Sequence, residues 1–227
     1  MQTGIKGLDE LIGSGIPKND LILLSGTCGA GKTIFGLQFI SSFAEKEAGI
    51  FVSFEEELSQ IRSAGSSFGW NIESLEKKDN LRMLKYDPFR IEDIFEIIES
   101  NIREIGAQRV VIDSISSLGV YVKDSLELRR MILQISSMLR KNNCTSILIS
   151  EIMPGKRNSI SRFGMEEFVS DGVIVLHNIL VSNEYRRGIS AWKIRETNHS
   201  KKIHPYKITE KGFVVYPNDT FTFKGVD

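Results

Sequence analysis

The chain has 227 residues, 41% of them hydrophobic and 26% charged, with 29 Lys plus Arg against 29 Asp plus Glu. That length and composition suit one well-packed α/β domain, so residues 1–227 are read as a single domain. The charge balance provides no global field for nucleic acid or an anionic membrane, so neither is expected as a partner.

Cys28 and Cys144 are far apart and suggest neither a metal spacing nor a disulfide framework. The N-terminus lacks the apolar core of a signal peptide, and no stretch approaches the roughly 20 apolar residues needed to cross a bilayer. A cytoplasmic protein is the expectation.

In chain order, "DLILLSG" (20–26) is an apolar run ending in Gly, as a strand covered on both faces would be. A helix is predicted from Lys32 to about Lys46, a strand over 49–54, a helix from Glu57 to about Phe68 and a weaker strand over 81–86. The stripe Ile91, Ile94, Phe95, Ile98, Ile102 and Ile105 predicts an amphipathic helix. "RVVIDS" (109–114) predicts a strand, Leu126 to Arg140 a helix and "TSILIS" (145–150) a further strand. Strands alternating with helices imply a mainly parallel sheet with helices on both faces.

The pattern changes after Gly155. Segments 172–181, 188–196, 203–209 and 213–216 all read as strands, with "NEYRRG" and "EKG" as turn signals, which suggests an antiparallel extension of the same sheet. The loop 153–168 reads as a mobile connection. Charge is uneven here: from Glu184 to Lys211 there are eight Lys or Arg and three Glu, a possible local anion-binding surface.

"GTCGAGKT" (26–33) fits G-x-x-x-x-G-K-[ST], and it lies between an apolar strand and a helix, the context that motif requires. Gly26, Gly29 and Gly31 let the backbone curl so that its N–H groups face inward towards phosphate oxygens. The expected nucleotide-contacting set is Gly26, Thr27, Cys28, Gly29, Ala30, Gly31, Lys32, Thr33 and, one residue on, Ile34. Lys32 reaches the β- and γ-phosphates, and the Thr33 hydroxyl is a Mg²⁺ ligand. Asp113, at the tip of "RVVIDS", is the expected Walker B acid beside it, with a turn or N-cap aspartate as the plainer alternative.

"FVSFEEE" (51–57) runs the next strand into three glutamates on the side of the sheet that carries the phosphate loop. Hydrolysis needs a group that orients the attacking water, and Glu55 and Glu56 are placed for it. Glu57 better suits the start of the following helix; all three could instead cap that helix. "SE" at Ser150 and Glu151 is either a γ-phosphate sensor or a structural hydrogen-bonding pair.

These segments, with "SISRFGMEEFVSDGVIVL" and "WKIRETNHSKK", resemble the KaiC-like branch of the RecA-like P-loop ATPases from Gly4 to about Tyr216. The resemblance implies a RecA-like α/β fold: a mostly parallel central sheet with flanking helices and a C-terminal antiparallel extension. It implies ATP and Mg²⁺ as ligands, Glu55 and Glu56 as catalytic carboxylates together with Lys32, and a homo-oligomer, expected to be a hexamer, with ATP between subunits. In that family a K-x-R-x-x-x-H segment of the neighbouring subunit reaches the phosphates. Here it is "KIRETNH", which gives Lys193, Arg195 and His199. Thr209 and Glu210 map near the neighbour's adenine.

The clock protein of the family has two such domains and phosphorylates Ser and Thr in its second. This chain has Glu167 and Phe168 where those hydroxyls would stand, as in the first, hydrolytic domain, so self-phosphorylation there is not expected. A regulatory ATPase is the leading reading, with an unidentified protein partner allowed. A DNA-binding recombinase or helicase relative, a nucleotide-gated scaffold and a kinase acting on another chain are the alternatives.

Overall fold

Period-two alternation decides how the strands are covered. The computed structural model describes residues 1–87, 93–122, 124–153, 159–181 and 183–221. In it, β1 (Leu21–Gly26) is buried along its whole length and sends Ile22 and Leu24 to one face, Leu21 and Leu23 to the other. β2 (Gly49–Ser53), β4 (Arg109–Asp113) and β5 (Thr145–Glu151) divide their side chains in the same way, Val111 against Val110 and Ile112 for example. Two separate apolar cores result, one on each face.

The first core takes Phe35, Leu37, Phe39 and Ile40 from α2 (Lys32–Ser41), Ile61 from α3 (Leu58–Ser67) and Ile72 from α4 (Ile72–Lys77), and it includes Leu8 and Leu11 of α1 (Leu8–Leu11). The second takes Ile94, Ile98 and Ile102 from α5 (Ile94–Ile105), and Ile115 and Leu118 from α6 (Ile115–Gly119). It also takes six side chains from α7 (Ser125–Lys141), from Leu128 to Leu139, and Val169 from α8 (Glu166–Val169). The stripe predicted from Ile91 thus holds for its described members, while Ile91 lies outside the described residues.

The sheet has nine strands in the order β3-β2-β4-β5-β1-β6-β7-β8-β9, with β3 at Leu81–Lys85, β6 at Gly172–Val181, β7 at Glu184–Ile194, β8 at His204–Thr209 and β9 at Gly212–Val215. The antiparallel part begins one strand later than expected. β6 pairs parallel with β1, and the antiparallel pairings are β6 with β7, β7 with β8 and β8 with β9. β7 also starts at Glu184, so most of "NEYRRG" is strand rather than turn. A bulge in β7 leaves Trp192 between the pairs Val173–Lys193 and Ile174–Ala191, with its side chain 61% exposed.

Helix α2 stops at Ser41, short of the predicted Lys46, and continues in tighter turns. The Phe39 carbonyl, which an α-helix would offer to residue 43, accepts a hydrogen bond from Arg109 Nη1 at 3.0 Å. Arg109 is fully buried, with its guanidinium 4.6 Å from the ring centroids of both Phe39 and Phe43. It also donates to Glu47 Oε2 at 2.7 Å and to the Gln2 carbonyl at 2.9 Å, which ties the N-terminal segment to the start of β4.

Candidate active site

Parallel strands carry their tips to one edge, and register puts the motif residues there together. Gly26 pairs with Glu151 on one side and Leu176 on the other, while Ser53 pairs with Asp113. Between β1 and α2 the loop turns through Gly29 (φ 74°) and Gly31 (φ 88°), both in the left-handed region where a side chain is strained. A Cβ at Gly31 would also come within 2.5 Å of Ile208 Cδ1, so the end of β8 lies against the loop. Tyr206 donates its hydroxyl to the Ala30 carbonyl at 2.6 Å; burial raises the Tyr206 pKa. Thr27 is half-buried and Cys28 and Gly29 are exposed on the crest, whereas Ala30 is buried and Ile34 half-buried.

Lys32 Nζ lies 3.2 Å from the Thr27 carbonyl and 3.9 Å from Glu151 Oε1, inside the curve of the loop. The Thr33 hydroxyl donates to Asp113 Oδ2 at 2.7 Å, which brings the two expected Mg²⁺ residues into contact. Asp113 is buried. Burial, and then the negative charges of Glu55 and Glu56, raise its carboxyl from 3.8 to about 7, against the opposing effects of the Thr33 hydroxyl and Lys32.

Excess negative charge beside a hydroxyl and a phosphate loop fits a hard divalent cation. The described residues contain no cluster of three or more His, Cys, Asp or Glu that could hold a metal without help. The Thr33 hydroxyl and the Asp113 carboxylate are oxygen donors of the kind Mg²⁺ takes, one or two from protein with the rest of its shell from phosphate and water.

The three glutamates separate. Glu55 Oε1 accepts from Ser114 Oγ at 2.9 Å and from Ser117 Oγ. The Glu56 carboxylate has no hydrogen-bond partner among the described residues, and its backbone carbonyl accepts from Ser53 Oγ at 2.7 Å. Lys85 Nζ donates to the carbonyls of Glu55 at 2.6 Å and Glu56 at 3.2 Å, and lies 3.7 Å from the Glu57 carboxylate. Glu57 is the N-cap residue of α3 but makes no side-chain capping bond.

At the tip of β5, Ser150 faces away from the loop. Its hydroxyl donates to Glu166 Oε1 at 3.0 Å, while the Glu151 amide donates to Ser116 Oγ at 2.8 Å. Glu166 is fully buried and also accepts from Ser161 Oγ at 2.8 Å and from the amides of Phe163 and Met165. The structural alternative for Ser150 therefore describes what it does here.

The basic segment sits elsewhere. Ile194 pairs with Gly172, which pairs with Ile22 at the start of β1, four residues or about 13 Å from Gly26. Lys193 Nζ donates to the carbonyls of Glu167 at 2.7 Å and Ser170 at 2.5 Å. Arg195 Nη1 donates to Asp171 Oδ1 at 3.0 Å, and Asp171 Oδ2 accepts from Arg140 at 2.8 Å. His199 is 7% exposed, with Nδ1 3.0 Å from the Ser200 carbonyl and Nε2 3.0 Å from Lys201 Nζ. The structure does not bring these three residues to the phosphate loop of the same chain. Thr209 and Glu210 are on the loop's own edge, beside Ile208.

Ser114, Ser117, Lys85 and Glu166 had no role in the sequence reading. Ser114 is the N-cap of α6 and accepts from the Ser117 amide, so S-x-x-S directly after Asp113 is the signal that could have marked that pair. No comparable signal marks Lys85 or Glu166.

The sequence profile described as "ATPase: KaiC" matches residues 1–220. The chain belongs to the KaiC ATPase family. A crystal structure of a KaiC-like protein from Pyrococcus horikoshii superposes with a TM-score of 0.88 at 38% identity, covering 96% of this chain and 98% of that one. A UPF0273 protein of the same organism is 36% identical over 96% of this chain and 94% of its own length. The circadian clock oscillator protein KaiC of Parathermosynechococcus lividus is 36% identical over 95% of this chain, which spans 42% of that larger protein. The KaiC-like assignment and the RecA-like fold expected from the motifs therefore hold, and ATP binding accords with the family. No helix among the described residues is long and apolar enough to cross a membrane.

Proposed function

We propose that this KaiC-family chain hydrolyses ATP to ADP and phosphate, with Mg²⁺, in sites completed between copies of a homo-oligomeric ring. Six copies are expected from the family resemblance. The observation that carries the reading is the 2.7 Å contact between Thr33 and Asp113 in front of the phosphate loop, with Glu55 and Glu56 close enough to raise the Asp113 pKa.

Backbone amides from Gly29 to Thr33, at the N-terminus of α2, bind the phosphate oxygens, and Lys32 adds a positive charge. Thr33 and Asp113 would hold Mg²⁺, which spreads the charge of the β- and γ-phosphates when bound. Glu55 orients a water for in-line attack on the γ-phosphorus. As the new P–O bond forms, the bond to the bridging oxygen breaks, ADP leaves, and the water proton passes to the glutamate.

Lys193 and Arg195 lie two strands away from β1 and level with its start, at the opposite end from the loop of their own chain, so the reading assigns them, with His199, to the phosphates of a neighbour. Charge supplied across an interface makes turnover depend on assembly. The product release that follows would time exchange with a protein partner, a regulatory output.

Steady-state phosphate release tests the reading. The Glu55→Gln, Glu56→Gln protein is expected to lose on the order of 100-fold or more in kcat while still binding ATP. Wild-type turnover in that variant would sink the assignment.

A further inference from the structure

Of the first two glutamates after β2, only one has its carboxylate held by hydrogen bonds among the described residues. Glu55 Oε1 accepts from both Ser114 Oγ and Ser117 Oγ, whereas Oε2 takes no hydrogen bond among the described residues. Each serine has a single hydroxyl proton, so each spends it on the same carboxylate oxygen. Ser114 uses a lone pair to accept the Ser117 amide at 3.3 Å, and the two hydroxyl oxygens are 3.1 Å apart. Both serines come from the turn after Asp113, which is rigidly placed by its pairing with Ser53 and by the 2.8 Å hydrogen bond from the Phe54 amide to the Asp113 carbonyl.

We propose that Ser117, with Ser114, is a positioning residue for Glu55: the pair fixes one carboxylate oxygen and leaves the other to accept from the attacking water. This rests on the hydrolytic reading above and goes beyond it in two ways. It distinguishes Glu55 from Glu56, whose carboxylate has no such anchor. It also ties the geometry of the water-orienting group to the residue pair that follows the metal-holding Asp113, so one turn supports both. A carboxylate hinged on two hydroxyls loses less freedom on reaching the transition state than an untethered one, and sub-ångström placement is worth a large factor in rate.

Ser117 is the better test of the two, because Ser114 also caps α6. The experiment compares the wild type, Ser117→Ala, Ser117→Thr, Glu55→Gln and the Ser117→Ala, Glu55→Gln double variant, with kcat and KM for ATP·Mg²⁺ and the urea midpoint of each. Ser117→Ala is expected to lower kcat on the order of ten-fold with KM within about two-fold, and the urea midpoint little changed. Ser117→Thr keeps the hydroxyl on a half-buried site and restores most of the rate.

In the Glu55→Gln background the alanine should cost nothing further, because a group acting through Glu55 has nothing left to position. An equal loss in both backgrounds, an unchanged kcat, or a faster enzyme would overturn the proposal; the last would mean that the serines sequester Glu55. A wild-type rate in Glu55→Gln would instead remove the role of Glu55 itself, and the proposal with it. A dead Glu55→Gln beside an unaffected Ser117→Ala removes only the positioning role.

Discussion

At the edge where the parallel strands end, Asp113, Glu55 and Glu56 stand close together, and the charge of Lys32 only partly offsets their repulsion. At the edge where the strands begin, Asp171 takes Arg195 and Arg140 on separate oxygens and the Leu21 amide as well, and Lys193 spends its protons on two carbonyls. One edge holds charge that something else must neutralise; the other has paired its charges within the chain. On the proposed function, the first edge gives up local stability to keep its carboxylates poised, and the second would need its cations fixed in place rather than left free. The two edges belong to one functional site only if a second copy brings its paired edge to the first copy's unpaired one.

The first expected effect is on the strut between the edges. Residues 159–171 pass from the tip of β5 to the start of β6, and Glu166 holds them, fully buried among two serine hydroxyls and two amides. Glu166→Ala strands those donors and should destabilise the chain by about 3 kcal/mol in a urea titration. Glu166→Gln, which keeps an acceptor oxygen, should cost less.

The second concerns the unpaired edge. Asp113 is raised from 3.8 to about 7, mainly by burial, so the unfolded chain loses this proton first as pH rises. Folded stability in metal-free buffer therefore falls between about pH 4 and 7, by no more than about 4 kcal/mol. Asp113→Asn should be the more stable protein at pH 8 by about 2–4 kcal/mol, and no more stable than wild type at pH 4. Wild-type stability that rises through that window would contradict the picture of an uncompensated edge.

The smallest effect separates the paired edge from a perfect match. Burial and Asp171 raise Asp20 from 3.8 to about 6, against Arg140 and Arg195. Asp20→Asn should stabilise by about 1 kcal/mol above pH 6 and by nothing below pH 4. A loss of stability instead would mean that Asp20 is itself an ion-pair partner.

The phosphate loop and Asp113 were legible because each is a short motif whose chemistry fixes its spacing and its place beside a strand. Glu55 and Glu56 could not be told apart: the residues that distinguish them, Ser114 and Ser117, lie some 60 positions away on the turn after a neighbouring strand. Glu166 and Glu167 are adjacent in "MEEF", and nothing local says that the first is sealed in the core and the second is not. Strand direction was equally hidden. A ten-residue apolar run does not say whether β6 is parallel or antiparallel to β1. The early end of α2 is a long-range effect too, since Arg109 takes the carbonyl that the helix would have used.

The most direct test mixes two inactive proteins. One has Glu55→Gln and Glu56→Gln; the other has Lys193→Ala and Arg195→Ala. If a site joins the glutamates of one copy to the cations of the next, mixed assemblies contain intact sites, and phosphate release should return to a sizeable fraction of the wild-type rate after mixing with ATP and Mg²⁺. Two proteins that remain as inactive together as apart, although they form mixed oligomers, would contradict the account.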